Sequence, residues 1–306
     1  MADFTDKAAG FAAPTQLPAS DGERIAWNDA NKTWWEHHPM RYDFSVALRS
    51  REGELAFFRE IDSRFFAAAS DFGKADEAPF STLIPYEFIR TRAVLEIGVG
   101  MGSHAQLLAS ACVRYTGIDL TEYATLATRR RLELHRAANA TVMQMNAEEM
   151  SFADASFDYV WSWGVIHHSA DTPRVMREIR RVLRPSGRAT IMVYYRSLWY
   201  RYVYAGLCHG ILKGQLFRER SLDRVVQRTI DGALARFYSE RELRAMCVES
   251  GFRVDGIRVL GMRTDLVLLP PGRVKDSVLK LVPRGLSRFL TSTCRFGYFI
   301  VADLTA

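Results

Sequence analysis

The run Val94-Leu95-Glu96-Ile97-Gly98-Val99-Gly100-Met101-Gly102 constrains this chain more than any other stretch. An apolar strand runs into three alternating glycines, and helical spacing starts after Gly102. Glycines at such a turn let the backbone bend sharply and approach a ligand closely, because no Cβ intervenes. A Gly-rich strand-to-helix turn is a nucleotide site in doubly wound folds. The spacing is not that of the dinucleotide fingerprint Gly-x-Gly-x-x-Gly, whose third glycine would fall at Ser103. A carboxylate at Glu96 would also repel a pyrophosphate. It is compatible with a zwitterionic amino acid carrying an ammonium group.

Around this motif strands and helices alternate. Strands are expected at 92–97, 113–119, 141–145, 157–162 and 188–194. Helices are expected at 51–72, after Gly102, at 121–138 and at 172–183, the last ended by Pro185 and Gly187. That alternation predicts a parallel sheet with helices on both faces. Periodicity is lost from Tyr195 to Phe237. It resumes at Ser239, whose Ser-x-x-Glu spacing to Glu242 is a capping box. Further strands are expected at 253–260 and 297–304.

Two more pieces fall just after strands. Asp119 ends the second strand, where a carboxylate can accept both hydroxyls of a ribose. Met145-Asn146-Ala147-Glu148 follows the third strand, where an amide and backbone N–H groups can read an adenine edge. The three pieces meet at the carboxyl ends of adjacent strands, the binding edge of such folds.

In this combination the stretch Val94–Val193 resembles a class I S-adenosylmethionine-dependent methyltransferase of the small-molecule, type 11 branch. Phe157-Asp158-Tyr159-Val160-Trp161-Ser162-Trp163-Gly164-Val165-Ile166-His167-His168 resembles that family's fourth strand and its mouth. Leu183-Arg184-Pro185-Ser186-Gly187-Arg188 matches the turn into the fifth strand. The resemblance implies a Rossmann-like α/β fold: a doubly wound, mostly parallel seven-stranded sheet with an antiparallel last strand. It implies S-adenosylmethionine as cofactor, with Glu96, Gly98, Gly100 and Gly102 holding its methionine part. Asp119 would bind the ribose, and Asn146 with Ala147 the adenine. Leu120, Glu148 and Trp163 complete the implied cofactor set. The family often has Asp where Asn146 stands; the amide can still accept from the adenine amino group.

A sulfonium methyl is already activated, so the protein mainly aligns donor and acceptor. A hydroxyl acceptor needs a base, and His167 or His168 is suited to that near neutral pH. The alternative is that one of the pair only caps a helix or packs under the lid. Tyr195, Arg196, Tyr200 and Arg201 leave the fifth strand where this branch often inserts part of its acceptor pocket. Trp35, Arg41 and Tyr42 lie in the segment Trp34–Phe44, expected to fold over the cofactor as the other half of the lid. Aromatics can wall an apolar substrate and arginines can pair with an anion. Otherwise these aromatics close the core of an appended domain. No metal is expected: adjacent histidines such as His37-His38 diverge, and no cysteine or carboxylate joins at zinc spacing.

The expected organisation is a disordered leader (1–22), an N-terminal helical lid (23–90), the cofactor core (91–195), an inserted cap (196–238) and completion of the sheet with a basic helical insertion (239–306). Apolar residues make up 48% of the 306, and no run approaches the length needed to span a bilayer. Asp3, Asp6 and Lys7 break a signal peptide's charge order, and four scattered cysteines fit a reducing compartment, so the expected location is cytoplasmic. From Arg196 onward there are 19 Lys+Arg against 10 Asp+Glu, which holds the whole basic excess of the chain. The segment Val274–Leu290 is basic and amphipathic, with Pro283 breaking it. It could touch anionic membrane weakly; packing beside the last strand with its charges in water is the favoured reading. The expected activity is methylation of a small, fairly apolar acceptor, on oxygen first, with carbon or sulfur as options. RNA methylation is disfavoured, because no RNA-binding module is appended and Trp163-Gly164-Val165 stands where amino-group methylases carry Asn/Asp-Pro-Pro-aromatic. A non-catalytic regulator that binds the cofactor is a third reading. The oligomeric state stays open, a homodimer included.

Overall fold

A computed structural model describes residues 7–43, 46–72, 78–269 and 273–306. Residues 1–6 of the expected leader, Phe44 of the expected lid and residues 73–77 of the connection into Pro85 lie outside it.

The sheet runs in the order β3-β2-β1-β4-β5-β8-β7. Its strands are β1 (Ala93–Ile97), β2 (Arg114–Asp119), β3 (Ala140–Gln144), β4 (Phe157–Trp163), β5 (Leu183–Tyr195), β7 (Arg253–Leu260) and β8 (Phe299–Thr305). A two-residue β6 (Phe237–Tyr238) pairs with the end of β5 off this path. Only β8 runs against its neighbours, pairing antiparallel to both β5 and β7. Strand order reverses between β1 and β4, so the crevice at the carboxyl ends of β1, β2 and β4 is the fold's binding edge. All five residues of β1 are buried, as a central parallel strand covered on both faces requires.

Helices α1 (Asp21–His37), α2 (Leu55–Ala68) and α3 (Tyr86–Ile89) precede the sheet. Helices α4 (Ser103–Ala111), α5 (Glu122–Leu134) and α6 (Thr172–Val182) connect its parallel strands. In α6 Val175, Met176, Ile179 and Val182 repeat at helical spacing and are buried, and the Asp171 side chain accepts from Arg174 N at 2.9 Å to start the helix. Helix α9 (Glu240–Glu249) carries the expected capping box between Ser239 and Glu242.

The segment without clear periodicity is helical. A π-type helix covers Trp199–Leu212, followed by α7 (Gln215–Glu219) and α8 (Leu222–Arg228). Its inward residues join Tyr194, Val225, Val226, Ile230 and Phe237 in a small core of their own. The basic segment forms α11 (Arg273–Leu281) and α12 (Arg284–Arg288), after the single turn α10 (Arg263–Leu266). Pro283 lies at the start of α12, where the break was expected. Its far end is tied down: Ser287 Oγ and Arg288 Nε donate to Asp71 at 3.1 and 2.9 Å.

The leader differs from expectation over residues 7–20, which are packed. Ala8 and Phe11 are buried with Trp27, Trp34, Ala233 and Leu234. Lys7 Nζ donates to the carbonyls of Ile230 and Gly232, both at 2.7 Å. Arg236, fully buried, donates through Nε to Gln16 O at 2.8 Å and through its other nitrogens to Ser169 and Ala170 carbonyls. The partners lie some 220 residues away in sequence, so no local pattern announces them. Arg236→Ala would leave three carbonyls without their donor and is expected to cost roughly 3 kcal/mol or more. Thermal unfolding and limited proteolysis check this: the variant should melt earlier and be cut first within residues 7–20. Unchanged melting and unchanged cleavage would contradict it.

Candidate cofactor and acceptor site

The glycine turn after β1 has a left-handed backbone at all three glycines, with φ of 80° at Gly98, 50° at Gly100 and 78° at Gly102. Their surroundings separate them. A Cβ on Gly98 would lie 2.1 Å from Val165, and one on Gly102 3.0 Å from Arg131 and Thr128. A Cβ on Gly100 would meet nothing within 4 Å. Gly98 and Gly102 thus allow close packing of the turn, while Gly100 faces open space that a ligand can fill. The turn is held from beneath by two α5 side chains. Thr128 Oγ1 donates to Gly100 O at 2.9 Å, and the buried Arg131 donates to Met101 O at 3.1 Å.

Asp119, half-buried at the end of β2, closes one side of that space. Its Oδ2 accepts from Gly100 N at 3.1 Å, and its Oδ1 accepts from Thr121 N and Oγ1 at 3.0 and 2.8 Å. Burial raises its pKa, against those three donors. An ionised carboxylate has about four acceptor sites and three are taken, so about one remains for a hydroxyl donor. Leu120 follows, its carbonyl accepting from Gln144 at 3.0 Å. After β3, the Asn146 side chain accepts from Glu148 N at 2.9 Å and fixes a tight turn, with Ala147 half-buried at its tip.

Three residues of the implied cofactor set are turned inward. Glu96 is 1% exposed and accepts from Tyr115 OH at 2.6 Å. Burial pushes its carboxyl up to about 8, with the Tyr115 bond pulling the other way. Glu148 is equally buried; its carboxylate accepts from Asn28 at 2.8 Å, Arg24 at 3.2 Å and Asp171 N at 2.9 Å. Trp163 stacks on Trp161, with ring centroids 5.3 Å apart and nearly parallel planes, and packs near Phe72, Phe80 and His104.

Helix α1 lies over these loops. Arg24, Asn28, Asn31 and Trp35 recur at four, three and four residues and share one face. Arg24 and Asn28 reach Glu148; Asn28 Oδ1 also accepts from Ala170 N at 3.2 Å, and Trp35 meets the His168 ring edge-on at 5.0 Å. Asn31 sits between them, 5% exposed, its Oδ1 without a hydrogen-bond partner among the described residues. Sequence reading missed Arg24, Asn28 and Asn31; their common helical face was the available signal.

His167 and His168 occupy a single 3-10 turn after β4, both buried. Burial lowers both pKa values, that of His167 most strongly. His168 Nδ1 lies 2.8 Å from Leu234 O. A carbonyl only accepts, so Nδ1 carries the proton and the neutral ring presents its lone pair at Nε2. That Nε2 and both His167 nitrogens have no partner among the described residues. Tyr194 packs against His167 at 3.9 Å and donates to Asp231 at 2.8 Å, a carboxylate that sequence reading also missed.

Of the expected acceptor residues, Trp35 meets the histidine turn and Tyr42 feels the Asp231 and Tyr194 groups beside it, while the others lie apart. Only Trp35 touches the histidines. Arg41 pairs with Asp43 at 3.2 Å, Arg196 with Glu242, and Arg201 with Asp223 at 2.6 Å, so each arginine already faces a carboxylate. Tyr42 packs on Phe65, and Tyr195 donates its amide to Tyr298 O. Tyr200 packs among Tyr204, Phe237 and Tyr298, with its hydroxyl on Thr229, which makes it part of the inserted segment's core.

Residues 95–191 match the family model described as a methyltransferase domain. The core of this chain is a class I, S-adenosylmethionine-dependent methyltransferase domain. It is 36% identical over 100 residues to 27-O-demethylrifamycin SV methyltransferase of Amycolatopsis mediterranei, covering 32% of this chain and 37% of that protein. It is 32% identical over 109 residues to phosphoethanolamine N-methyltransferase 2 of Caenorhabditis elegans, covering 35% and 25%. The match thus spans about a quarter to just over a third of these relatives. The crystal structure of the 4+2 cyclase SpnF is similar in fold to this chain, with a TM-score of 0.54 at 12% identity, covering 95% of this chain and 98% of that one. The open cradle at Gly100, the Asp119 carboxylate beside it and the Asn146 turn fit the amino-acid, ribose and base portions of the cofactor.

Two outcomes follow. Asp119→Ala should weaken S-adenosylhomocysteine binding by roughly 2–4 kcal/mol in calorimetry, through loss of charge-assisted hydrogen bonds; unchanged affinity would remove the ribose assignment. Glu96 has a raised pKa, so between about 4.5 and 8 the folded state holds a proton that the unfolded state has lost, and stability falls as pH rises through that window. The melting temperature of Glu96→Gln should therefore gain on the wild type from pH 5 to 8 and level off above. A constant difference would show that Glu96 is ionised in the fold.

Proposed function

We propose that this chain methylates a small, fairly apolar acceptor on oxygen, using S-adenosylmethionine bound across Gly100, Asp119 and the Asn146 turn. The observation that carries the reading is a pair of buried acceptor atoms without partners among the described residues: Asn31 Oδ1 on α1, and His168 Nε2 on the turn that Trp35 of the same helix meets. Two buried lone pairs without donors are costly, and a hydroxyl-bearing acceptor relieves that cost.

When bound, the cofactor supplies an electrophilic methyl on a sulfonium. The Gly98–Gly102 turn and Asp119 would fix its position, and α1 would keep water out. Asn31 would orient the acceptor hydroxyl. His168 Nε2 would take the hydroxyl proton of the acceptor as its oxygen gains the methyl group. Its neutral form is the one burial favours, so the base is ready at neutral pH. An amine acceptor can attack before losing its proton and so has less need of a base. The relatives named above carry both O- and N-methylation in their names, which leaves the choice to these residues.

The test is a methyl-labelled cofactor assay on extract, partitioned into organic, aqueous and RNA fractions. Label should enter the organic fraction; label in RNA would contradict the reading. With the acceptor in hand, His168→Gln should lower turnover about 100-fold or more while S-adenosylhomocysteine affinity holds. Because the pKa of His168 is lowered from its ordinary value of about 6.5, activity should stay level above that pH and decline only below it. Wild-type rates in the variant would refute the histidine base.

A further inference from the structure

We infer that the inserted hairpin 198–220 is a membrane-docking element that seats this protein on an anionic phospholipid surface. In the π-type helix Trp199–Leu212 and its preceding residue, Leu198, Tyr202, Leu207 and Ile211 recur at four, five and four residues. Those are the steps of a helix with about 4.4 residues per turn, whose hydrogen bonds run i→i+5. The four therefore line one face, and that face is the solvent face: they are 70%, 55%, 45% and 55% exposed. The opposite face is apolar too, with Ala205 and Gly210 buried and Tyr200 in the segment's core. At the tip the stripe continues through Leu212 and Phe217, 73% and 79% exposed. Monomeric proteins rarely expose so contiguous an apolar patch without a partner for it.

Charge identifies the partner. Lys213, Arg218, Arg220 and Arg224 are exposed around the tip and make no ion pair among the described residues. The two carboxylates of this stretch are already taken, Asp223 by Arg201 and Glu219 by Arg228. An apolar ridge ringed by unopposed cations is the arrangement of an interfacial element: the apolar side chains enter the headgroup boundary and the cations meet lipid phosphates. A protein partner would need carboxylates around an apolar groove, whereas an anionic bilayer offers both features everywhere on its surface. No helix of the described residues is long and apolar enough to cross a membrane, so the contact is peripheral. The C-terminal basic segment is the weaker candidate, since α12 is anchored on Asp71.

The inference stands apart from the methyl-transfer reading, and its test needs no activity. The full chain is sedimented with vesicles of phosphatidylcholine alone and of phosphatidylcholine with one quarter phosphatidylglycerol. At about 0.1 M salt the bound fraction should be at least tenfold higher on the anionic vesicles. It should fall severalfold at about 0.5 M, where screening is stronger. Leu212→Ser with Phe217→Ser should lose most binding with an unchanged melting curve, because both side chains are largely in solvent. Arg218→Glu with Arg220→Glu should lose the preference for anionic vesicles. No binding at low salt, or binding that survives both double variants, overturns the proposal. So does a concentration-dependent dimer dissolved by Leu212→Ser with Phe217→Ser, which would make a second copy the occupant.

Discussion

The buried Glu148 carboxylate joins three parts of the molecule that no shared secondary structure connects. It sits in the turn after β3 and takes hydrogen bonds from Arg24 and Asn28 of α1 and from the backbone of Asp171 at the start of α6. A charge this deep is tolerable only when it is fully hydrogen-bonded. The bonds therefore fix more than a side chain. They set α1 over the carboxyl edge of the sheet, and with it the position of Asn31 and Trp35 above the histidine turn. The cofactor cradle is formed by the strand-end loops of the sheet, and the roof over it is held by Glu148 and its donors together with the Trp27 and Trp34 packing and the bonds from Glu122 and Tyr123 amides to Glu36.

That division explains what was legible in the sequence. The alternation of strands and helices and the glycine turn follow from short apolar runs set between helical spacings of three and four and from the glycines after the first strand. The strands beyond the insertion and the capping box at Ser239 were read the same way. The roof was not legible, because its residues carry no local pattern. Glu148 looked like part of an adenine loop, and its true partners lie some 120 residues earlier and 23 later. The packed segment 7–20 was read as a leader for the same reason: Arg236 and the carbonyls after Thr229 hold it from the far end of the chain. The insertion failed for a different reason. Its apolar residues repeat at about 4.4 residues and occupy both faces, so neither a helix of 3.6 nor a strand of two fits.

The candidate acceptor site shows the limits of reading residue types alone. Arg41, Arg196 and Arg201 are plausible anion binders by type, yet each is neutralised by a neighbouring carboxylate. Tyr200 is plausible as a pocket wall, yet it fills a core. What remains on the functional side is a small number of atoms that the fold buries and leaves unpaired. In a well-packed protein most buried polar atoms have partners, so the exceptions carry information. They are spread over the molecule, and among them Asn31 Oδ1 on α1 and His168 Nε2 on the turn after β4 are the two acceptor lone pairs on which the proposed function rests.

In the proposed function one ligand lies across the Gly100 cradle, Asp119 and the Asn146 turn, with its reactive end toward the histidine turn. A crystal structure with S-adenosylhomocysteine tests it most directly. The expected density places the ribose on Asp119, the adenine over Asn146 and Ala147, the amino-acid end along Gly98–Gly102, and the sulfur facing the space beneath Asn31 and His168. Density at any other edge of the sheet, or a ligand whose sulfur faces away from the histidine turn, would contradict the account.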